Sequence, residues 1–298
     1  MNSIPEIFVA HTSELAESPV WDADNNRIYW VDIEKGILHW YNFSDQAKHE
    51  LAIGQKIGSV ALIAQNRLVA ALENGFFSID TLKKSVTPII EIESQISTNR
   101  FNDGKCDPAG RFWAGTMSVI GKPNAGKLYM LDGNFRVMEL LRGVGCSNGM
   151  AWSPDHATFY YIDSLSYQLV TYDFDMFLGA ISNQKILIQF APDEGIPDGM
   201  TTDSQGALWI AMWDGGNVSR YDPVSGKLLL RIKFPVARIS SCTFGGPELS
   251  DLFITTARVG LSEQQLKDQP LAGSVFVIKN TGFTGSPAHP FLVSQRIV

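Results

Sequence analysis

The chain has 298 residues and a formal net charge of −7, with 45% hydrophobic residues and 26 glycines. A chain of this length forms two ordinary domains or one large β or α/β domain, and its apolar fraction is sufficient for a large core. A phosphate backbone is bound by clustered Lys and Arg side chains, and the sequence has no basic cluster, so nucleic acid is excluded as an expected partner.

The three cysteines, Cys106, Cys146 and Cys242, are widely spaced and form no CxxC pair. An odd number of cysteines without metal-type spacing predicts reduced, mostly buried thiols in a cytoplasmic protein. Residues 1–6 have neither a basic start nor a long apolar run. We therefore expect no signal peptide and no membrane partner.

Short apolar runs alternate with turn residues along the chain, and helical periodicity is nearly absent. The runs recur as pairs at intervals of about 40 to 50 residues, the period of a propeller blade. The six pairs are 18–22 with 26–31, 58–62 with 66–71, 103–107 with 110–115, 149–152 with 158–162, 197–203 with 207–212, and 241–246 with 251–256. The pattern predicts an all-β fold, one six-bladed β-propeller with four antiparallel strands per blade, formed by residues 1–298 as a single domain.

The ring of a propeller must also close, and a strand from one terminus completes a shared blade in this prediction. The candidates are residues 7–10 and residues 291–293, which are both short apolar runs. The clearest helix candidate is 260–266, interpreted as a surface turn of helix. The alternative fold is a β-sandwich with accidental similarity between its strands, and the regularity of the first-strand pattern favours the propeller.

A polar residue precedes the first strand in four of the repeats, namely Glu17, Asn102, Asn148 and Asp198. The first strand of each blade lines the central channel, so equivalent positions at its start meet in a ring at one mouth. Their carboxylate and amide oxygens suit a divalent cation such as Ca²⁺, Mg²⁺ or Mn²⁺, with water in the open positions. The alternative is that these residues form turns, because Asn-Gly and Asp-Gly are turn dipeptides. Glu17 is not a turn former, which favours a site.

Several motifs in this order resemble the regucalcin/gluconolactonase (senescence marker protein type) family of metal-dependent sugar lactonases. They are AESPVWD at 16–22, RFNDGK at 100–105, GRFWAGTM at 110–117, SNGMAW at 147–152, PDG at 197–199, WDGG at 213–216 and CTFGG at 242–246. The resemblance extends along nearly the whole chain. It implies a six-bladed propeller with one divalent metal cation in its channel, which can be Ca²⁺, Zn²⁺, Mg²⁺, Mn²⁺ or Fe²⁺.

The resemblance also implies a role for each polar residue of the ring. Glu17, Asn148 and Asp198 are the implied metal ligands, and Asp198 is also the implied general base. Arg100 and Asn102 are the implied substrate contacts, so that Asn102 changes from a ligand of the ring to a substrate contact. Some family members carry a substrate-contacting Glu after the Gly-Thr-Met run, whereas this chain continues with Ser-Val-Ile-Gly at 118–121. The lactone that serves as substrate is therefore left open.

Two classes of function fit these residues. The first is a hydrolase that opens a sugar lactone to the aldonic acid by metal-activated water, with Asp198 as base and Arg100 holding the sugar. The second is a non-catalytic calcium-binding or partner-binding propeller, and a hydrolase of another ester is a third possibility. A carboxylate at Asp198 beside an arginine and an amide favours the lactonase. For Arg100 alone, a surface salt bridge is an equally good interpretation.

Three other patterns are interpreted as structural. Residues 145–149 match G-x-S-x-G, but a strand rather than a helix follows, so Ser147 is not expected to be a nucleophile. Residues 22–26 resemble the start of an EF-hand loop without flanking helices, which predicts a hairpin turn. The five histidines lack the spacing of a zinc site and are interpreted as isolated surface or turn residues. A phosphate-binding or dinucleotide fingerprint is absent, so no nucleotide cofactor is expected.

Overall fold

The computed structural model describes residues 4–294. It contains six four-stranded antiparallel sheets arranged as the blades of a ring, which confirms the predicted six-bladed β-propeller. Each predicted pair of apolar runs forms the inner strand of a blade and the strand beside it. The turns between the paired strands contain residues with positive φ, which Asn and Gly adopt most readily. Examples are Asn26, Asn66 and Gly110, at φ 47, 61 and 77.

The first strand, β1 (Glu6–Val9), belongs to the last blade, and the next five blades are formed by consecutive strands. Blades 1 to 3 consist of β2 (Ala16–Asp22), β3 (Arg27–Asp32), β4 (Ile37–Asn42), β5 (Ala47–Ala52), β6 (Ile57–Ala64), β7 (Arg67–Leu72), β8 (Gly75–Asp80), β9 (Ser85–Glu91), β10 (Asn99–Cys106), β11 (Phe112–Ser118), β12 (Gly126–Leu131) and β13 (Val137–Val144). Blades 4 and 5 consist of β14 (Ser147–Trp152), β15 (Thr158–Asp163), β16 (Gln168–Asp175), β17 (Ala180–Gln189), β18 (Ile196–Thr202), β19 (Leu208–Trp213), β20 (Asn217–Tyr221) and β21 (Leu228–Lys233). Blade 6 consists of β22 (Ile239–Gly245), β23 (Asp251–Thr256), β24 (Val275–Ile278) and β1.

Helices are short and lie in connections. The helix α1 (Glu263–Asp268) joins β23 to β24, close to the predicted 260–266. It begins after Ser262, whose Oγ accepts a hydrogen bond from the Gln265 backbone N–H, a typical N-cap. Two 3₁₀ helices, Ser164–Ser166 and Pro192–Glu194, lie in blades 4 and 5. Among residues 4–294, none of the helices has the length and apolar character needed to cross a lipid bilayer.

The ring is closed by the N-terminal candidate strand. Strand β1 pairs antiparallel with β24, with Ile7 opposite Phe276, which confirms residues 7–10 as the closing segment. The C-terminal candidate at 291–293 was wrong, because β1 already occupies the outer edge of blade 6 and prolines at 287 and 290 remove ladder donors. Instead this segment lies against blades 2 and 3, with the Phe291 N–H donating to Leu62 O and the Leu292 N–H donating to Gly110 O. Residues 286–290, which precede it, help to enclose a cavity of about 500 Å³ at the end of the channel where the inner strands finish.

Hydrophobic clusters fill the spaces between neighbouring blades. Trp113 of blade 3, for example, packs on Trp152 and Phe159 of blade 4 at ring-centroid distances of 5.4 and 4.9 Å. Trp21 of blade 1 stacks on Phe253 of blade 6 at 5.8 Å, across the closure of the ring. The second strand of each blade, as in β3, β7 and β19, is therefore buried on both faces, which explains its continuous apolar run.

Candidate metal centre

The inner strand of each blade carries an irregularity at the same level of the channel. In β2, β10, β14 and β18 the register shifts between Glu17 and Val20, Phe101 and Gly104, Ser147 and Met150, and Pro197 and Met200. Strands β6 and β22 shift at the corresponding place. The four predicted polar residues lie at these bulges. Because a bulge re-aims the side chain of the extra residue, residues that strand alternation alone would scatter are brought to one level.

A chain of hydrogen bonds joins the polar residues of three blades. Arg100 Nη1 donates to Asn102 Oδ1 at 2.6 Å, and Asn102 Nδ2 donates to Asn148 Oδ1 at 3.1 Å. Asn148 Nδ2 donates to Ser164 Oγ at 2.8 Å, and Ser164 Oγ donates to Pro197 O at 2.6 Å, one residue before Asp198. These bonds fix the orientation of the Asn148 amide. They leave its Oδ1 with a second lone pair for another ligand.

Three buried carboxylates share the channel, because Asp103 lies beside the predicted Glu17 and Asp198. The side chains of Glu17, Asp103 and Asp198 are 5%, 6% and 5% exposed. Burial raises the pKa of Glu17 to about 8, with a further contribution from the negative charge of Asp103, against the Ser18 N–H and Arg100. Burial, followed by repulsion from Glu17 and Asp103, raises the pKa of Asp198 well above its usual range. Mutually repelling carboxylates in a buried site are the environment that a cation stabilises.

Arg100 is buried rather than on the surface. It is 5% exposed, and its Nε lies 3.8 Å from Glu34 Oε1 at the rim of the channel. Burial lowers its pKa, and the negative charges of Glu34 and Glu17 oppose this shift. The interpretation as a surface salt bridge was therefore wrong. The guanidinium lies beside the carboxylates and the two amides, where it can contact a bound small molecule.

Three neighbours of the site were missed in the sequence. Asp103 was assigned only to the first-strand run 103–107, although its position directly after Asn102 was a usable signal. Ser164 lies in a 3₁₀ helix and Glu34 lies in the hairpin turn between β3 and β4. Both approach the site only in the folded chain, and no sequence pattern indicates this. All three hold or polarise the predicted residues, through the contacts given above.

The patterns interpreted as structural have mixed outcomes. Ser147 lies in β14 and accepts a hydrogen bond from the Tyr161 hydroxyl at 2.9 Å, so it is a buried strand residue. Asp22 Oδ1 accepts the Asn25 N–H in a hairpin turn, as predicted. The cysteines are free thiols, also as predicted. The interpretation of the histidines was wrong for His39, which is 0% exposed.

Replacing Glu17 by glutamine is expected to stabilise the metal-free protein increasingly as pH rises. The Glu17 pKa is about 8 in the folded state and 4.5 in its ordinary state, so the wild type loses stability as pH increases through this window. Glutamine does not titrate, so the melting temperature of Glu17→Gln should exceed that of the wild type at about pH 9 and approach it near pH 4.5. Thermal unfolding in chelator at both pH values measures the difference. A difference that does not grow with pH contradicts the assigned environment of Glu17.

A family model described as "SMP-30/Gluconolactonase/LRE-like region" matches residues 15–258, which include all five predicted site residues. The chain belongs to the SMP-30/gluconolactonase family. The chain is 39% identical to regucalcin of Danio rerio over 295 residues, covering 98% of this chain and 99% of the relative. It is 40% identical to regucalcin of Gallus gallus over 283 residues, covering 93% and 94%.

Solved structures of the SMP-30/gluconolactonase type have the same fold. A calcium-binding protein, regucalcin, from Agrobacterium tumefaciens superposes with a TM-score of 0.92 at 27% identity, covering 96% of each chain. The predicted family resemblance is therefore confirmed along nearly the whole chain. The bulged inner strands and their polar residues belong to a propeller shared with these relatives.

Proposed function

We propose that this member of the SMP-30/gluconolactonase family is a divalent-metal-dependent lactonase that opens a sugar lactone to the aldonic acid. The proposal is supported by the repulsion between the buried carboxylates of Glu17 and Asp198, and by the hydrogen bonds that join Arg100 through Asn102 to Asn148. Membership of a family whose description includes gluconolactonase supports it. Full-length relatives named regucalcin support the same family of functions.

Glu17, Asn148 and Asp198 would hold the cation. Two of them are buried carboxylates whose pKa values burial and repulsion raise, and the third is an amide whose nitrogen is held by Ser164. This all-oxygen donor set fits Ca²⁺, Mg²⁺ and Mn²⁺, and Zn²⁺ and Fe²⁺ also accept such oxygens. When bound there, the cation would polarise the lactone carbonyl and lower the pKa of a bound water.

Asp198 acts as the general base in this proposal. It accepts a proton from the attacking water while the water oxygen forms a bond to the lactone carbonyl carbon. As the bond between that carbon and the ring oxygen breaks, Asp198 returns the proton to the ring oxygen. Asp198 is 5% exposed, so the carboxylate that accepts the proton is held inside the buried site, beside the water that the cation would bind.

Arg100 and Asn102 orient the substrate. Arg100 Nη1 donates to Phe101 O and Asn102 Oδ1, which fixes the plane of the guanidinium and presents Nη2 to a sugar hydroxyl. The Asn102 amide nitrogen is held by Ser147 O and Asn148 Oδ1, and its oxygen, which accepts Arg100 Nη1, keeps a second lone pair for the substrate. Such fixed donors and acceptors lower the entropy cost of reaching the reactive geometry.

The loop after β11 bears on which lactone is accepted. Asn99 pairs with Ser118, so this loop starts at the same mouth of the channel as Arg100. Its side chains Val119 and Ile120 are 46% and 68% exposed. Since exposed apolar side chains here offer no hydrogen bonds, we propose that the outer part of the substrate is less polar than a hexonolactone.

Removing the metal is expected to reduce lactone hydrolysis by at least about 100-fold, because a catalytic cation contributes several kcal/mol of transition-state stabilisation. Proton release from gluconolactone and from a panel of less polar lactones measures the rate before and after chelation, and after each divalent cation is added back. Asp222→Asn, measured in the same way, is the control and should keep the wild-type dependence on the cation, since Asp222 lies in the turn between β20 and β21, outside the channel. Equal rates with and without chelator contradict the proposal.

The second candidate is a cation-binding propeller without catalytic activity. It is favoured by the description of the Agrobacterium tumefaciens relative as a calcium-binding protein. The same samples distinguish the two candidates. Stoichiometric cation binding without hydrolysis of any lactone in the panel would support the binding protein.

A further inference from the structure

Three side chains of blade 1 form a second cluster of metal-binding groups outside the channel. His11 lies between β1 and β2, where the chain passes from blade 6 to blade 1. His39 on β4 stands directly opposite Glu50 on β5 in the strand register. One ligand atom from each of the three residues lies within 4.8 Å of the other two.

His39 is the reason that this cluster requires an explanation. Its side chain is 0% exposed, and within residues 4–294 neither ring nitrogen has a hydrogen-bond partner. The ring stacks on Trp30 at a centroid distance of 5.4 Å and meets the ring of His11 at 4.9 Å. Nδ1 lies 3.5 Å from Glu50 Oε2, which places the two atoms next to each other without a well-formed bond. A buried imidazole without a partner costs free energy that a ligand would recover.

We propose that His11, His39 and Glu50 form a zinc site, with a water molecule as the fourth ligand. Two imidazole nitrogens and one carboxylate oxygen are a typical zinc donor set, unlike the all-oxygen set in the channel. Ligand atoms around tetrahedral zinc lie about 3.3 Å apart, so the present spacing must contract. The Glu50 side chain is 58% exposed and therefore free to move toward the histidines.

Positive charges near the cluster do not prevent zinc binding. Lys48 Nζ lies 3.6 Å from Glu50 Oε2, but such an exposed ion pair contributes only about 0 to 1 kcal/mol and is readily replaced. Burial, followed by the charge of Lys48, lowers the pKa of His39 to about 3 and also lowers that of His11.

Zinc in this position would strengthen the closure of the ring. The His11 backbone N–H donates to Ser274 Oγ, and Ser274 Oγ donates to His11 O, so His11 is already attached to blade 6. His39 and Glu50 belong to the outer strands of blade 1. A bound zinc would link the two blades at the point where β1 closes the ring by pairing with β24. A metal that binds only the folded state raises its stability.

The test uses the full chain carrying Glu17→Gln and Asp198→Asn, which weakens cation binding in the channel. Titration with Zn²⁺ by calorimetry, and with Co²⁺ by visible absorption, is expected to show one bound ion and an increase in melting temperature. His11→Ala and Glu50→Gln in the same background are expected to lower zinc affinity by more than about 100-fold, since each removes a ligand. His49→Ala is the matched control, because His49 lies on β5 but stacks on Trp40 and pairs with Asp45.

Half-buried His11 and exposed Glu50 are changed rather than His39, whose replacement in the core would itself disturb folding. The Co²⁺ spectrum is expected to show the intense bands of a tetrahedral site with nitrogen ligands. Absence of binding in the background variant overturns the proposal. Binding that survives His11→Ala, or that is lost equally in His49→Ala, overturns it as well.

Discussion

Replacing Asp198 by asparagine is expected to lower kcat for lactone hydrolysis by about 10³-fold, within the range of 10² to 10⁴ that is typical of general bases. Asparagine keeps the shape of the side chain and one oxygen donor, but it cannot accept a proton. The cation affinity and KM are therefore expected to change less than kcat. Steady-state kinetics combined with metal analysis of the variant separate the loss of a base from the loss of the metal.

Asp103→Asn is the matched control for Asp198→Asn. Asp103 is buried to nearly the same extent, lies in a bulge of a neighbouring inner strand, and repels the same carboxylates. Its replacement removes the same charge from the channel and leaves the proposed base in place, so we expect a loss in kcat below about 10-fold. A loss in Asp103→Asn that equals or exceeds the loss in Asp198→Asn contradicts the role of Asp198.

The fold was predictable because each blade repeats one local pattern. A turn residue with positive φ, such as Asn26 or Asn66, separates two apolar runs that pair with each other, so the repeat carries both the strands and their connection. The C-terminal run at 291–293 has the same apolar character, yet it is no strand. Residues 6–9 and 291–293 compete for the outer edge of blade 6, and β1 occupies it. The strand propensity of each segment does not indicate which of the two pairs with β24.

The candidate site was predictable only where it follows the repeat. Glu17, Asn148 and Asp198 occupy equivalent bulges, so an alignment of the blades identifies them. Asp103 lies in the same bulged stretch as Asn102, but side-chain direction in a bulge does not follow strand alternation, and the sequence could not show that it enters the channel. His11 and His39 meet through the register of β4 and the closure of the ring, which sequence spacing does not encode.

Replacing Asp203 by alanine is expected to lower the free energy of unfolding by about 3 to 5 kcal/mol, the cost of leaving a buried partner charge unpaired. Asp203 lies in the turn between β18 and β19 and is 1% exposed. Its Oδ2 accepts hydrogen bonds from Trp209 Nε1 at 3.0 Å and Arg220 Nε at 2.7 Å. Its Oδ1 accepts the backbone N–H groups of Gln205 and Ala207. Alanine would leave all four donors without this acceptor.

Blade 3 contains the same arrangement of a buried aspartate that accepts hydrogen bonds from a tryptophan and an arginine, so a similar loss of stability is expected there. Asp107 lies in the turn before β11, and its Oδ2 accepts Trp113 Nε1 at 2.9 Å and Arg111 Nε at 2.6 Å. In both blades the tryptophan follows the aspartate by six positions and packs in the space between blades. Asp107→Ala is therefore expected to cost a similar amount, and additive losses in the double variant would show that the two turns act independently.

Thermal and denaturant unfolding measure the cost, with a fall in melting temperature of about 5 to 8 °C expected for Asp203→Ala in a chain of this size. Asp222→Ala is the control, since Asp222 also accepts turn N–H groups but is only half-buried and lies in an exposed turn, so its replacement should cost below about 1 kcal/mol. Equal losses at the two positions contradict the role of the buried ion pair. Asp203 lies at the opposite end of β18 from Asp198, so unchanged kcat below the lowered melting temperature would show that the bulge holds Asp198 without help from this turn.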